Sequence, residues 1–318
     1  MSVRPPKPQS SLPSESFATS RNVTVFSSVP HVGRKKITLS KLASLKANKV
    51  PITVLTAYDF FTAQQCERGD IDICLVGDSL AQVALGYTST TSLTLDETLH
   101  HCRAVARGCK TPLLVADMPF GSYQVSVEDT IRNAVRLVQE GGVESVKLEG
   151  GLDVVHTVRA LTTVGIPVMA HIGLLPQRAT LLSGYRVQGK DAQTGNDLLQ
   201  SARALQDAGA YAMVLEAIPD KLASYITSKL EIPTIGIGAG PGTDGQVLVW
   251  DDAMGSWTGH QPKFVRRFAE LGLSAELGVA AYTAAVRARD FPSSVAPTYE
   301  MEAGEWEAFM ERVEGNND

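Results

Sequence analysis

Eight short apolar runs, each built like a buried strand, constrain the fold of this chain more than any other feature. The runs begin at residues 51, 72, 111, 144, 166, 210, 232 and 245. Between most of them lie segments with helical periodicity, at 127–140, 153–164, 197–208 and 220–230. Apolar strands that alternate with helices are typical of a parallel sheet covered by helices. The pattern predicts an α/β fold.

The number of units favours a TIM (β/α)8 barrel over an open, doubly wound sheet. An open sheet of eight strands needs a topological switch point and usually carries a nucleotide-binding motif. The glycine-rich string at 236–242 does not supply one, because Pro241 stands where the dinucleotide-binding fingerprint needs glycine. We therefore expect these glycines to serve tight turns or close backbone approaches in a barrel.

The chain of 318 residues is expected to hold one barrel with a segment at each end. A short amphipathic helix is predicted at 36–48, before the first strand, and the barrel is predicted to span 37–290. Residues 291–318 form a predicted C-terminal extension with a helix at 301–313. No run is long and apolar enough to predict a membrane-spanning helix.

Residues 1–36 differ in composition from the rest of the chain. They hold six basic residues, one acidic residue, eight serines and five prolines, whereas the remainder holds 23 basic and 33 acidic residues. Such a segment is typical of either a disordered tail or an organellar transit peptide. We expect the protein in the mitochondrial matrix if this segment is a transit peptide, and in the cytoplasm otherwise. The rest of the chain is acidic and does not favour nucleic acid as a partner.

The four cysteines show neither a CxxC pair nor the spacing of a metal site. They are Cys66, Cys74, Cys102 and Cys109. This pattern favours reduced structural thiols over a disulfide framework.

Polar side chains end most of the predicted strands, and the carboxyl ends of barrel strands form the active-site mouth of TIM barrels. The residues are Tyr58, Asp59, Asp78, Ser79, Asp117, Lys147, Glu149, His171 and Glu216. Lys147 and Glu149 are two apart and therefore point to the same face of their strand.

Each of these residues also has an ordinary structural interpretation. An aspartate after a strand often caps the next helix, and Asp59 is best interpreted in that way. A single histidine is often a hydrogen-bonded core residue, and a Glu–Lys pair is often structural. The convergence of so many titratable groups favours a functional site, because burying them together is costly without a ligand.

The charge balance at this mouth predicts a divalent cation. Asp78, Asp117, Glu149 and Glu216 outnumber Lys147, and a set of oxygen ligands selects Mg²⁺ rather than Zn²⁺. Such an ion can bind a 2-oxo acid through two oxygens and stabilise its enolate. A glutamate whose pKa is raised by burial would act as the base.

Several motifs together resemble the ketopantoate hydroxymethyltransferase family over about residues 36–270. They are TAYD (56–59), VGDSL (76–80), DMPFGSY (117–123), VKLEGG (146–151), HIGLLPQ (171–177), GYRVQGK (184–190), VLEAIP (214–219), IPTIGIGAG (232–240) and DGQVLV (244–249). The resemblance implies a Mg²⁺-dependent TIM barrel that transfers a hydroxymethyl group from 5,10-methylenetetrahydrofolate to 3-methyl-2-oxobutanoate, on the route to pantothenate. It also implies a homo-oligomer, commonly a decamer, with small molecules rather than nucleic acid or membrane as partners.

The resemblance also implies roles for individual residues. Asp78 and Asp117 match the metal carboxylates, with Glu149 in the outer environment of the metal. Ser79 and Lys147 match the groups that hold the keto acid, and Glu216 matches the base that removes its C3 proton. Tyr58 and His171 are expected to line the same pocket.

Some positions depart from the family pattern. Thr88 and Ser92 replace an acid and a proline, Trp250 stands where the family often has histidine, and Gly242 lies in a turn that usually contains an acid. Two alternatives stay open on the residues alone. One is a related Mg²⁺-dependent lyase or mutase barrel, although such enzymes use a strand-end cysteine, and the other is a barrel kept as a non-catalytic scaffold.

Overall fold

Eight parallel strands close into a barrel in the computed structural model, which describes residues 34–181, 184–293 and 299–315. Each strand pairs with the next one along the chain, and the last pairs with the first, with Gly245 opposite Ile52. The strands are β1 (Ile52–Thr56), β2 (Ile73–Val76), β3 (Leu113–Asp117), β4 (Ser145–Glu149), β5 (Val168–Gly173), β6 (Ala212–Glu216), β7 (Thr234–Ile237) and β8 (Gly245–Leu248). The predicted TIM barrel and all eight strands are confirmed.

Helices separate most of the strands and extend beyond the barrel at both ends. In the described residues they are α1 (Leu39–Ala47), α2 (Phe60–Arg68), α3 (Leu80–Val83), α4 (Leu95–Gly108), α5 (Val127–Gln139), α6 (Val155–Thr163), α7 (Ala192–Asp207), α8 (Asp220–Ser228), α9 (Trp250–Met254), α10 (Leu271–Ala288) and α11 (Glu305–Glu314). None of the described helices is long and apolar enough to cross a membrane.

The predicted helices are present, with shifted ends. Helix α7 begins before the predicted residue 197 because Asp191 and Thr194 form a reciprocal capping box ahead of it. The predicted helix at 153–164 begins as a 3-10 turn, Leu152–Val154, before α6. Asp59 caps α2 through a capping box with Thr62, so its interpretation as a helix cap is confirmed.

The apolar side chains form two layers, one inside the barrel and one between the strands and the helices. Alternation along β4 shows the separation, because Val146 and Leu148 pack in the outer layer while Lys147 and Glu149 do not. The inner layer includes Ile52, Ile73 and Leu113 at the starts of their strands.

Helix α1 closes the barrel at the amino ends of the strands. Its buried residues Leu42 and Leu45 belong to the inner layer together with Ile52. The Lys46 ammonium also lies 2.7 Å from the Asp244 carboxylate, directly before β8. The mouth at the opposite, carboxyl ends of the strands is therefore where a ligand can enter.

The four cysteines are buried free thiols, as the sequence predicted. Most of the predicted N-terminal tail or transit segment lies outside the described residues, and the predicted boundaries at 36 and 290 stay predictions.

Candidate active site

Strand ends bring nearly all of the predicted site residues to one cavity of about 560 Å³ at the mouth of the barrel. The predicted residues that line it are Asp78, Ser79, Asp117, Lys147, Glu149, His171 and Glu216. Asp117, Glu149 and Glu216 are the last residues of β3, β4 and β6, whereas β5 continues two residues past His171, to Gly173. The predicted convergence of these groups is thus present.

Tyr58 is the exception, because it does not itself line this cavity, and its expected place in the substrate pocket stays a prediction. Its ring is 4% exposed and is not part of the cavity wall. It lies behind Ser79, with its hydroxyl 2.7 Å from the Ser79 hydroxyl. The strand ends two residues before Tyr58, at Thr56, and it is Thr56 that lines the cavity.

A buried ion pair lies at the base of the cavity. The Lys147 ammonium is 3.0 Å from Asp117 Oδ1, and the backbone N–H of Asp78 donates to Asp117 Oδ2 at 3.0 Å. Burial raises the pKa of Asp117 to about 6, against the lowering effect of Lys147 and with a further increase from Asp78. Burial also opposes the charge of Lys147, but the surrounding carboxylates raise its pKa above the usual range. Lys147 is therefore a permanent cation.

Gln177 holds the two other carboxylates in place and was not predicted. Its side-chain Nε2 donates to Asp78 Oδ2 at 2.8 Å and to the Met118 carbonyl at 3.0 Å. Its backbone N–H donates to Glu149 Oε2 at 3.1 Å, and the Tyr123 hydroxyl donates to its Oε1 at 2.7 Å. The only sequence signal was its place in the HIGLLPQ motif, because a glutamine carries no charge that would mark it.

His171 lies between the lysine and the glutamate of β6. Its Nδ1 is 3.2 Å from Lys147 Nζ, and its Nε2 is 3.1 Å from Glu216 Oε2. Burial and then the nearby Lys147 charge lower the pKa of His171 well below its usual range, so the ring is neutral. An ammonium only donates hydrogen bonds, and Nδ1 must therefore accept, which assigns the ring proton to Nε2, on the side of Glu216.

Glu216 is the most accessible of the predicted titratable residues that line the cavity, with 18% of its side chain exposed. Burial raises its pKa to about 7, although Lys147 acts in the opposite direction. A carboxyl group with this pKa can accept and return a proton near neutral pH.

The carboxylates near Lys147, those of Asp78, Asp117 and Glu149, suit a hard cation. Glu149 Oε1 is buried without a hydrogen-bond partner, and burial followed by repulsion from Asp78 raises the pKa of Glu149 well above its usual range. A divalent ion would relieve both conditions. Among the residues that the structure describes, no three acidic, histidine or cysteine side chains form a ready-made ligand group. A hard ion held by one or two of these carboxylates would keep its other positions for water and substrate.

Two of the departures from the family pattern have a structural account. Trp250 contributes its backbone N–H, which donates to Thr56 Oγ1 at 2.8 Å, so the identity of its side chain is not used in that contact. Gly242 lies against α8, where a Cβ atom would come within 2.6 Å of Ser224 Cβ. Thr88 offers its carbonyl to Gln82 at 3.4 Å, and nothing else in its surroundings explains the loss of an acid there.

Comparison with known proteins decides the family. The model of the ketopantoate hydroxymethyltransferase family matches residues 36–294. The chain belongs to this family. The 3-methyl-2-oxobutanoate hydroxymethyltransferase of Heliobacterium modesticaldum is 50% identical over 258 residues, which are 81% of this chain and 94% of that protein. The enzyme of the same name from Clostridium novyi is 48% identical over the same shares. The chain is accordingly an enzyme, a hydroxymethyltransferase.

Solved structures with the same fold are much more distant. A phosphonopyruvate hydrolase in complex with oxalate and Mg²⁺ matches with a TM-score of 0.52 and 12% identity, over 88% of this chain and 98% of the hydrolase. An oxaloacetate acetylhydrolase with its product oxalate matches with a TM-score of 0.50 and 16% identity over the same shares. At this identity the likeness concerns the fold alone.

Family membership and the cysteines both count against the lyase alternative. Cys74 lies inside β2 and packs in the outer layer, away from the cavity. Cys66, Cys102 and Cys109 are buried in or next to helices. None of the four cysteines ends a strand, as a lyase of that type would require. The alternative of a non-catalytic scaffold is set aside because the family is one of enzymes.

The expected mitochondrial location finds no support in these comparisons, because the relatives compared are bacterial. The basic segment on which that expectation depends lies mostly outside the described residues.

Proposed function

We propose that the enzyme transfers a hydroxymethyl group from 5,10-methylenetetrahydrofolate to 3-methyl-2-oxobutanoate, giving 2-dehydropantoate and tetrahydrofolate. The observation that carries the proposal is the arrangement of one permanent cation, Lys147, and one carboxyl group with a pKa of about 7, Glu216, across a single cavity. This pair suits the removal of a proton next to a carbonyl group, because one group takes the proton while the other faces the developing negative charge.

The proposed binding of the keto acid uses the residues of strands β2 to β4. Ser79 donates to the substrate carboxylate, and Lys147 lies on the side of the keto oxygen. Asp78 and Asp117 are the residues that would hold Mg²⁺, with Glu149 in its outer environment. When bound, such an ion would help to hold the 2-oxo acid and would neutralise part of the negative charge that develops on it.

The proposed chemistry begins with Glu216. Its carboxylate takes the C3 proton of the keto acid, and the electron pair of that bond becomes the enolate. Water adds to the one-carbon unit of the folate, and cleavage of its two bonds to nitrogen releases tetrahydrofolate and leaves the unit as formaldehyde. The C3 carbon attacks this formaldehyde and forms the new C–C bond. The resulting alkoxide takes the proton back from Glu216 and becomes the hydroxymethyl group. His171 is neutral, and its Nε2 lies 3.1 Å from Glu216 Oε2, next to the proposed base.

The folate is proposed to occupy the outer part of the cavity. Three aromatic side chains, Tyr185, Trp257 and Phe264, line that part and suit a flat heteroaromatic ring. Lys263 lies beside them and suits the carboxylates of a folate tail. The ring of Phe264 packs on Gly238, where a Cβ atom would come within 2.6 Å of it.

A homo-oligomer is also proposed, and helix α10 supports it. None of its residues is buried, and it exposes Leu273 by 56%, Leu277 by 63% and Tyr282 by 61%. A helix of this composition usually packs against another apolar surface, and a second copy of the chain is the partner that we propose.

Product formation tests the proposed function. NMR spectra of 3-methyl-2-oxobutanoate with enzyme, Mg²⁺ and 5,10-methylenetetrahydrofolate should show the new CH₂OH signal of 2-dehydropantoate, and omission of the folate should abolish it. A chelator should remove the activity, and Mg²⁺ should restore it. Absence of the product in the complete mixture, with enzyme that is folded, would contradict the proposal.

A further inference from the structure

A row of three hydrogen bonds leads from the backbone of α9 to the serine in the cavity wall. The backbone N–H of Trp250 donates to Thr56 Oγ1 at 2.8 Å, and Thr56 Oγ1 donates to the Tyr58 hydroxyl at 2.8 Å. The Tyr58 hydroxyl and the Ser79 hydroxyl are 2.7 Å apart. Thr56 and Tyr58 are both buried, whereas Ser79 is half-buried and lines the cavity.

The direction of the protons along this row follows from its first two bonds and from the burial of Tyr58. A backbone N–H can only donate, and each hydroxyl has a single proton to give. Thr56 accepts from Trp250 and gives its proton to Tyr58. The Tyr58 hydroxyl is buried, and among the described residues its hydrogen-bond partners are Thr56 and Ser79. Its own proton is therefore paired only if it points to Ser79, since an unpaired buried proton is costly. The Ser79 proton is then free to point into the cavity. Burial raises the pKa of Tyr58 above its usual range, so its hydroxyl keeps that proton.

Ser79 has no competing structural task. It stands at the N-cap of α3, where a serine side chain commonly accepts from the helix backbone, but it makes no such bond. Gly77 lies close to the same row, because a Cβ atom there would come within 3.1 Å of Ser79 Oγ and 3.3 Å of Thr56 Cγ2. A side chain at position 77 would therefore press on both Ser79 and Thr56, and the glycine leaves room for the row.

We propose that Thr56 and Tyr58 are positioning residues that hold Ser79 as a hydrogen-bond donor toward the cavity. The ligand atom opposite Ser79 must then be an acceptor, such as a carboxylate oxygen, and a group that donates is disfavoured there. The inference rests on the proposed function for the identity of the ligand, the 2-oxo acid. It also explains how Trp250 can replace another residue at its position, since the row begins at a backbone group.

A comparison of two ligands tests the proposal. The dissociation constants of 3-methyl-2-oxobutanoate and of its primary amide, which presents an NH₂ donor, are measured by calorimetry with Mg²⁺ present. The wild type should prefer the acid over the amide. In Thr56→Val and Tyr58→Phe the Ser79 hydroxyl is free to turn and accept, so this preference should fall roughly tenfold, the usual size of a hydrogen bond to a charged group.

Conservative replacement supplies the control. Thr56→Ser keeps the hydroxyl and should restore the wild-type preference, which a purely structural role of the Thr56 methyl group would not do. Thermal melting checks that each variant is folded, and Tyr58→Phe carries the test if Thr56→Val does not fold. An unchanged preference in the folded variants, or Thr56→Ser that behaves like Thr56→Val, would overturn the proposal. A wild type that binds neither ligand would instead overturn the proposed function and, with it, this ligand for Ser79.

Discussion

Among single residues of the site, burial changes the pKa values of the carboxyl groups more than the neighbouring charges do. Burial is the largest influence on the pKa of Asp117, of Glu149 and of Glu216, and in each case it favours the neutral form. Lys147 opposes this effect in all three, but it does not cancel it in any of them. The site therefore holds carboxyl groups that ionise readily only when a cation or a substrate makes the charge favourable.

The raised pKa of Glu216 predicts how its removal changes stability. The native pKa is about 7 and the ordinary value is 4.5, so the native state keeps a proton in the interval where the unfolded chain loses it. The free energy of unfolding of the wild type should therefore fall as the pH rises from 4.5 to 7, by about 2 to 3 kcal/mol from this group. Glu216→Gln lacks the ionisation, and its advantage over the wild type should grow across the same interval.

Urea unfolding at pH 5 and at pH 8, in a chelator and at one protein concentration, measures this difference. Glu231→Gln, at an exposed position between α8 and β7, is the matched control for the loss of one carboxyl group. A Glu216→Gln variant whose advantage is the same at both pH values would show that the Glu216 carboxyl is not destabilised by burial.

At the scale of elements, the pairing of β5 with β6 places a backbone constraint directly beneath the site. Gly173 ends β5 with a φ of +99°, and a Cβ atom there would lie 2.2 Å from the Glu216 carbonyl oxygen. Only glycine avoids both the strained φ and the collision. The position of Glu216 thus depends on a neighbouring residue that has no side chain.

Gly173→Ala is therefore expected to lower the free energy of unfolding by about 3 kcal/mol or more. Gly165→Ala is the control, because Gly165 has a similar φ of +90° but nothing within 4 Å of its Cβ position. Gly165→Ala should lower the free energy of unfolding only by the backbone strain, about 1 kcal/mol. Equal losses in the two variants, measured by chemical denaturation, would contradict a collision at Gly173.

The elements were more predictable from the sequence than the contacts between them. Apolar runs identify the strands directly, and the alternation of β4 gives the direction of Lys147 and Glu149. Gln177 and Thr56 were missed because they are uncharged, and their importance lies in hydrogen bonds between segments far apart in the chain, such as the 2.8 Å bond from Trp250 to Thr56. The sequence did not show that Tyr58 lies behind Ser79, because a strand-end position does not reveal which residue faces the cavity.

At the scale of the whole molecule, the exposed apolar helix α10 predicts assembly. It is an 18-residue helix with no buried residue in the single chain. The sequence did not single it out, since its apolar residues lack a clear one-sided pattern. Stable assembly normally buries an apolar surface of this kind.

Light scattering coupled to size exclusion should give a mass that is a multiple of 34.0 kDa. Leu277→Asp places a charge in the centre of α10 and should shift the mass toward a single chain. Leu181→Asp, at a residue that is 80% exposed outside α10, is the control and should keep the wild-type mass. A wild type of 34.0 kDa at micromolar concentration would contradict the proposed oligomer.

Proton exchange at C3 of 3-methyl-2-oxobutanoate in D₂O tests the central claim, that Glu216 removes this proton. With wild-type enzyme and Mg²⁺, and without folate, the C3–H signal should disappear from the NMR spectrum. In Glu216→Gln the exchange should be at least about 100-fold slower, because a positioned base contributes that much. Exchange at the wild-type rate in folded Glu216→Gln, or none in the wild type, would contradict the account.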